Sequence, residues 1–181
     1  MFNRSILLFI IFFVFTGLFF AGTVFSQGSD KVVDDFIYKF TFKMPAGWEM
    51  KDMKETTDKD AISYSFESPD KKMTIMLLAF KLNSVKNIDD FIYNLEKDIS
   101  LNIPPKSGEY TTEDFEKYDM KSALYKDNKF DESIYYFRTK LPDAPYNFVY
   151  MLRFITEVKD YSTEREAEIK KIATTFTPTA E

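Results

Sequence analysis

The sequence predicts an α+β fold, with a mainly antiparallel sheet of about six to seven strands and helices packed on its faces. Several segments alternate apolar and polar residues with a period of two, which is typical of strands that bury one face. Two other segments repeat apolar residues at helical spacing. The run from Met73 to Leu82 is apolar on both parities, so it needs cover on both sides of the sheet. Together these patterns favour an α/β/α sandwich.

An apolar leader precedes this domain. Residues 6–25 of the 181 are almost wholly apolar. Because Val24 and Ser26 suit the −3 and −1 positions of a signal-peptidase site, we expect residues 1–26 to be a signal peptide and residues 27–181 to form a single domain. An uncleaved anchor is the alternative, since about 20 apolar residues can span a bilayer. Both alternatives predict an exported protein, periplasmic or extracellular, which touches the membrane only if the leader is retained.

The first strand is predicted from Phe36 to Met44, where the apolar residues share one parity. Pro45 removes an amide donor and ends the strand, and Gly47 permits the turn that leads to Trp48. Trp48 is a candidate binding platform, although a large aromatic residue at such a position is more often part of the core.

The next segments predict a strand, a turn and a helix. Ile62, Tyr64 and Phe66 alternate with serines in a second one-sided strand. The stripe of the first helix comprises Ile88, Phe91, Ile92, Leu95 and Ile99. Asn87 can cap this helix, and the two prolines at 104 and 105 stop it.

Two polar connections are candidate contact surfaces. Lys106 to Asp114 is predicted as the longest polar loop of the domain, and Asp127 to Lys129 as a turn. Tyr110 lies in the loop, and tyrosine offers contact area with little rotamer loss. The alternative is that Tyr110 folds back onto the domain.

Three closing strands are marked by Tyr118, Tyr135 and Phe148, and the short turns between them imply antiparallel pairing. If Leu141 and Tyr146 pair across the turn at 142–145, then Arg138 opposes Val149 and Arg153 opposes Ile134. The two arginines would share a face about 13 Å apart. They could grip an extended anion, or they could form ion pairs with carboxylates such as Glu157 and Glu132.

The final helix is predicted from Ser162 or Thr163, with Thr163 and Glu166 spaced as a capping box. Its buried stripe contains Ile169, Ile172, Ala173 and Phe176, and Pro178 ends it.

The absence of two residue types excludes several classes of enzyme. The chain contains no histidine and no cysteine, so it cannot form a Ser-His-Asp triad, a Cys-His pair or a His/Cys zinc site. Asp58 and Asp60 lack the further ligands that calcium needs. The net charge of −5 argues against nucleic acid as a partner. We expect no catalytic site, no metal and no cofactor.

Two short motifs carry a resemblance to a known fold. The aromatic strand that ends in Met44-Pro-Ala-Gly-Trp48 and the closing helix that ends in Ile172-Ala-Thr-Thr-Phe176 resemble the PsbP-like fold, whose superfamily also includes bacterial DcrB proteins and a nuclear Ran-release factor. The resemblance covers residues 36–176. It implies an antiparallel sheet between helical layers and mostly non-enzymatic accessory or binding roles. The chain lacks the lipobox cysteine of DcrB and any histidine, so no functional residue of the family can be transferred to it.

These observations predict an exported, non-catalytic accessory or binding protein that contacts an unknown protein or the cell envelope. A small-ligand or lipid carrier with an aromatic cleft is one alternative, and a membrane-anchored structural protein is another. The candidate contact residues are Tyr110, Arg138, Arg153 and Trp48.

Overall fold

The structure, a computed structural model, describes residues 29–83, 85, 87–141 and 146–179. In chain order the strands are β1 Lys31–Asp35, β2 Phe40–Met44, β3 Glu49–Glu55, β4 Ala61–Glu67, β5 Met73–Leu82, β6 Lys106–Asp114, β7 Tyr118–Lys126, β8 Phe130–Thr139, β9 Asn147–Glu157 and β10 Thr177–Pro178. The helices are α1 Ile88–Lys97 and α2 Thr163–Ala173, with short 3₁₀ turns at Ile99–Leu101 and Val158–Asp160. The predicted leader and the turn at 142–145 lie outside the described residues.

The strands form two antiparallel sheets, which confirms the predicted α+β class. The large sheet has seven strands in the order β3-β4-β5-β9-β8-β7-β6, and the small sheet has the order β1-β2-β10. As predicted, Arg138 pairs with Val149 and Ile134 pairs with Arg153. Strand β5 lies inside the large sheet between β4 and β9, and layers cover both of its faces. This position explains why its sequence is apolar on both parities.

The small sheet and α2 cover one face of the large sheet. Phe176, just after α2, lies at the centre of this layer. Its ring centroid is 4.6 Å from that of Phe137, 5.1 Å from Tyr150, 5.5 Å from Phe40 and 6.4 Å from Phe42. Because rings at these separations pack directly against one another, aromatic side chains fill this half of the core.

Helix α1 covers the opposite face. Asn87 caps it as predicted, by accepting a hydrogen bond from the backbone N–H of Asp90. Its buried residues Ile88, Phe91, Ile92 and Leu95 pack in one cluster with Ile134, Tyr136, Val149 and Met151 of the large sheet. No helix among the described residues is long and apolar enough to cross a membrane.

Two predicted apolar positions are exposed. Residues 36–39 form a turn between β1 and β2 instead of continuing one strand, and the side chain of Phe36 is 76% exposed. Ile99 is 94% exposed, because α1 ends at Lys97 and the chain enters a 3₁₀ turn capped by Asp98. The predicted stripes were therefore wrong at Phe36 and Ile99.

Lys106 to Asp114 is a strand, so the predicted long loop was wrong. Strand β6 lies at the edge of the large sheet and is exposed along nearly its whole length. An edge strand that buries neither face shows no period-two pattern. Gly108 has φ +88°, within a register shift between Ser107 and Thr111, which further obscures the strand in the sequence.

The N-cap of α2 also differs from the prediction. Ser162 is the N-cap of α2 and accepts from the backbone N–H of Arg165, so the capping box of Thr163 and Glu166 is absent. Within α2, Glu166 and Lys170 form an i,i+4 ion pair at 2.8 Å.

Candidate binding surface

The turn between β1 and β2, residues 36–39, presents two adjacent apolar side chains to solvent. Phe36 is 76% exposed and Ile37 is 53% exposed. Single exposed apolar residues are common on protein surfaces, but adjacent exposed apolar residues are a feature of interaction sites. We refer to residues 36–39 as the β1–β2 turn.

Asp35 fixes the start of this turn. Its Oδ1 accepts hydrogen bonds from the backbone N–H groups of Ile37 and Tyr38, both at 2.9 Å. Its Oδ2 accepts from the hydroxyl of Tyr64 on β4, at 2.8 Å. A side-chain carboxylate that caps the following amides is the usual way in which aspartate stabilises a turn. The β1–β2 turn is thereby bonded to the large sheet.

Tyr150 on β9 fixes the end of the turn. Its hydroxyl donates to the carbonyl oxygens of Tyr38 at 2.9 Å and Lys39 at 2.8 Å. The backbone N–H of Thr179 also donates to the Lys39 carbonyl, at 2.8 Å. Lys39 adopts φ +56°, a left-handed conformation that is unfavourable for a residue other than glycine. These contacts stabilise a strained turn that holds Phe36 and Ile37 outside.

Tyr38 points in the opposite direction and anchors the turn in the core. Its side chain is fully buried, and its hydroxyl donates to Oε1 of Glu55 at 3.2 Å. Burial, followed by the nearby carboxylates of Glu55, Asp35 and Asp60, raises the pKa of Tyr38 to about 12. The β1–β2 turn therefore lies beside the turn that joins β3 to β4, in an acidic environment.

Strand β3 extends the apolar surface along an open sheet edge. Met50 pairs with Phe66 and Met53 pairs with Tyr64, so both methionines lie on the face of the large sheet that carries the small sheet. Met50 is 46% exposed and Met53 is 56% exposed. Since β3 is the outermost strand on its side, nothing among the described strands pairs with its outer edge.

Trp48 belongs to the core, as its alternative interpretation predicted. Its side chain is only 2% exposed, and its backbone N–H donates to the carbonyl of Pro45 at 3.3 Å. Gly47 has φ +84°, and a Cβ atom there would lie 3.0 Å from the ring of Pro69. The turn therefore requires glycine, and it directs Trp48 into the core.

Arg153 is buried and clamps the 3₁₀ turn after α1. Its guanidinium contacts the Glu132 carboxylate at 2.5 and 2.8 Å. It also donates to the carbonyl oxygens of Leu101 at 2.7 Å and Asn102 at 3.2 Å. All of these contacts lie within the chain, as the ion-pair alternative predicted for Glu132.

Arg138 forms a separate ion pair. It shares the face of Arg153, and its guanidinium contacts Oδ2 of Asp119 on β7 at 2.7 and 3.2 Å. Lys140 lies 3.2 Å from the same carboxylate. Each arginine thus has its own carboxylate, an arrangement that does not favour joint capture of an anion.

Tyr110 folds back onto the domain and links β6 to α1. Its hydroxyl donates to Glu96 Oε1 at 2.5 Å, and the hydroxyl of Tyr125 donates to the same oxygen at 2.5 Å. The Tyr125 hydroxyl also lies 3.1 Å from that of Tyr136. Burial raises the pKa of Tyr110 to about 12. A role in partner contact stays a prediction for Tyr110, but its hydroxyl is committed to the domain.

Two grooves lie on the surface of the described part of the chain. One, of about 490 Å³, borders the predicted Asp127–Lys129 turn and is lined by residues including Phe130 and Val158. The other, of about 240 Å³, lies between α2 and the part of the large sheet that consists of β6, β7 and β8. It is rich in hydroxyl groups, from residues such as Ser122, Ser133 and Tyr161. Both grooves are open to solvent, and neither is the aromatic cleft that a carrier would need.

The contact residues predicted from the sequence do not include Phe36, Ile37, Met50 or Met53. The signal that identifies a turn at residues 36–39 is weak, because buried Tyr38 keeps the parity of Phe40 and makes the alternation look continuous. Asp35 followed by two apolar residues is the one local hint of an aspartate-capped turn.

Comparisons with known proteins give a likeness at low identity. No protein-family model matches this sequence, and no curated protein matches it. LpqN of Mycobacterium tuberculosis, described as involved in cell envelope biogenesis, is 13% identical, with a TM-score of 0.48 over 83% of this chain and 91% of LpqN. The Ran-binding protein Mog1p of Saccharomyces cerevisiae is 11% identical, with a TM-score of 0.48 over 83% of this chain and 95% of Mog1p.

At this identity and TM-score, the likeness carries no conclusion about this chain. What LpqN and Mog1p do is a property of those proteins. The resemblance to the PsbP-like fold, with its DcrB-like detail, stays a prediction. The α+β class itself rests on the strands and helices of this chain.

Proposed function

We propose that this chain is an exported, non-catalytic binding protein that contacts a protein partner through the β1–β2 turn. The observation that carries the proposal is the adjacent pair Phe36 and Ile37, held outside by a turn bonded at both ends. Exposing two large apolar side chains disfavours the free protein in water, and fixing them in advance lowers the entropic cost of binding. An exposed apolar pair on a hydrogen-bonded turn suits an anchor that inserts into a partner's pocket.

The carrier alternative receives no support from the core. The aromatic residues available to line a cleft are engaged with one another, as in the stacked pair Phe40 and Phe176 and the tilted pair Phe137 and Phe176. A ligand between the sheets would have to displace these contacts. We therefore favour a surface contact over an interior ligand.

The double variant Phe36→Ser/Ile37→Ser tests the contact. Photo-crosslinking in the producing cells, with the crosslinker placed in the β1–β2 turn, followed by mass spectrometry, identifies what the turn touches. Co-purification of that protein with the variant, which carries no crosslinker, should fall at least about tenfold, because the apolar anchor is lost. Stability should stay within about 0.5 kcal/mol of the wild type, since both side chains are exposed.

A matched control is available on the far side of the large sheet. Tyr93 on α1 is 58% exposed and Ile99 is 94% exposed. The variant Tyr93→Ser/Ile99→Ser removes similar exposed apolar surface and should retain capture. Equal loss of capture in both variants, or none in either, would contradict the role of the turn.

Export through cleavage of the leader is a separate part of the proposal. The fit of Val24 and Ser26 to a signal-peptidase site supports a mature start at Gln27. Intact mass of the protein from the cell envelope and the medium tests it. A mass that begins at Met1 in the membrane fraction would instead identify an anchored protein.

A further inference from the structure

We propose that the partner segment seated on the β1–β2 turn is cationic as well as apolar: it places lysine or arginine side chains next to the apolar group that contacts Phe36 and Ile37. The proposal rests on the proposed function, because it assigns the chemistry of the partner at the same surface. Its basis is the charge around the turn and the way in which that charge is left unpaired.

The carboxylates come from two chain segments that meet. The segment Asp34–Lys39 contains the β1–β2 turn, and the segment Glu55–Asp60 contains the turn after β3. The Tyr38 hydroxyl donates to Glu55 at 3.2 Å and so joins the two segments. Together the segments carry five carboxylates, Asp34, Asp35, Glu55, Asp58 and Asp60, and two lysines, Lys39 and Lys59.

No ion pair satisfies these five carboxylates. In the described part of the chain, none of the five takes part in a salt bridge, whereas Asp52, Asp70 and Asp119 each pair with a lysine or arginine. Asp34 and Asp58 also accept no hydrogen bond from a described residue, and both are exposed. Unpaired surface charge of one sign is available to a partner of the opposite sign and speeds its approach.

The apolar pair and the neighbouring carboxylates together indicate which kind of partner fits this surface. An anionic lipid surface would accept Phe36 and Ile37 but would be repelled by the carboxylates beside them. A second copy of this chain would bring the same negative charge to the contact. A protein segment with one apolar anchor flanked by lysine or arginine satisfies both features, since the apolar pair and the carboxylates lie on adjoining turns.

Two measurements test the inference on the full chain. The first is the sequence of the peptide that crosslinks to a photoreactive residue at position 37 in the producing cells. We expect a protein peptide with a net positive charge around an apolar residue. A crosslink to lipid alone, to a second copy of this chain or to an acidic peptide would overturn the inference.

The second measurement is the association rate of the purified chain with a synthetic copy of that crosslinked peptide. The variant Asp34→Asn/Asp58→Asn removes two charges without removing a hydrogen bond. Association should slow by about tenfold at low salt, and this difference should largely disappear at high salt. The control Glu109→Gln/Glu116→Gln removes two exposed charges from the opposite edge of the sheet and should leave the rate unchanged.

The experiments distinguish the proposed function of the turn from the cationic chemistry of its partner. If Phe36→Ser/Ile37→Ser binds the peptide as the wild type does, the proposed function of the turn is wrong. If that variant loses binding while Asp34→Asn/Asp58→Asn associates at the wild-type rate at low salt, the contact stands and the cationic partner is wrong.

Discussion

The hydroxyl of Tyr150 donates to the carbonyl oxygen of Lys39 at 2.8 Å, across 111 positions of the sequence. Tyr150 is fully buried in the large sheet, whereas Lys39 ends the exposed β1–β2 turn. The bond therefore connects the rigid core to the proposed binding surface. Lys39 also has a strained backbone, so this contact helps to determine whether the turn keeps its conformation in the free protein.

Replacing Tyr150 by phenylalanine should loosen the turn without removing any exposed group. We expect Tyr150→Phe to lower the free energy of unfolding by about 1–2 kcal/mol, because the buried carbonyl of Tyr38 loses this donor, whereas the carbonyl of Lys39 keeps the N–H of Thr179. Amide hydrogen exchange at Ile37 and Tyr38 should become faster, and capture of the crosslinked partner should weaken because the turn is less pre-organised.

Tyr135→Phe is the matched control for this variant. Tyr135 is half-buried, and its hydroxyl forms no hydrogen bond to a described residue. Its removal should leave the free energy of unfolding, the exchange at the turn and the capture almost unchanged. If both variants behave alike, the bond of Tyr150 does not control the turn.

The sequence pattern located most of the fold because most elements bury one face. The period-two strands β4, β8 and β9, the stripe of α1 and the register of Arg138 with Val149 follow directly from apolar spacing. Strand β6 was predicted as a loop because an edge strand exposed on both faces has no such spacing.

The proposed binding surface could not be predicted from the sequence, for a different reason. Whether Phe36 lies inside or outside depends on hydrogen bonds from Tyr64 and Tyr150, which are remote in the sequence. The same applies to Tyr110, whose partner Glu96 lies on a different element. Local patterns report which residue types alternate, whereas exposure at a turn is decided by the tertiary contacts that fix it.

Removing one charge of the buried ion pair between Arg153 and Glu132 should strongly lower the free energy of unfolding. The side chains are 6% and 2% exposed, so Glu132→Gln leaves a buried guanidinium without its counter-charge. We expect a loss of about 3–5 kcal/mol in denaturant unfolding.

The double variant Arg153→Met/Glu132→Leu should recover much of this loss, since no unpaired charge remains. The exposed pair of Glu166 with Lys170 is the contrast, and Lys170→Met should cost less than about 1 kcal/mol. Equal costs for Glu132→Gln and Lys170→Met would contradict a buried, structural role for Arg153.

Trp48 should behave as a core residue. We expect Trp48→Ala to lower the free energy of unfolding by about 3–5 kcal/mol, because a large aromatic side chain with 2% exposure leaves a cavity. The nearby Met50→Ala is the control, since Met50 is 46% exposed, and it should cost about 1 kcal/mol or less. Denaturant melts of both variants make the comparison. A cost below about 0.5 kcal/mol for Trp48→Ala would contradict a core role and make Trp48 a candidate surface contact.

Tyr110 should matter for stability and not for partner capture. Tyr110→Phe removes the hydrogen bond to the Glu96 carboxylate and should cost about 1.5–3 kcal/mol, the range for bonds to charged groups. Tyr110→Ala should cost more, because the ring also packs against the cluster under α1. Denaturant unfolding gives the cost, and crosslinking from position 37 gives the capture. Capture lost in Tyr110→Ala at unchanged stability would instead establish Tyr110 as a contact residue.

Asp70 should make the stability of the domain depend on pH in the acid range. The Ser68 hydroxyl, at 2.6 Å, and the guanidinium of Arg165 on α2, also at 2.6 Å, lower the pKa of Asp70 to about 2. The ordinary aspartate pKa is about 3.9. Since the folded state lowers the pKa, the stabilisation is fully present above about pH 4 and is lost as the pH falls through about 2.

The comparison of wild type with Asp70→Asn at several pH values measures this effect. The difference in unfolding free energy should be constant from pH 6 to about 4 and should shrink between about 4 and 2. Its size should stay below about 1 kcal/mol, because the Asp70 side chain is 43% exposed and solvent screens the pair. In an Arg165→Met background the pH-dependent part should become smaller, since one of the two partners is gone. A difference that stays constant down to pH 2 would show that the carboxylate of Asp70 does not stabilise the folded state through these contacts.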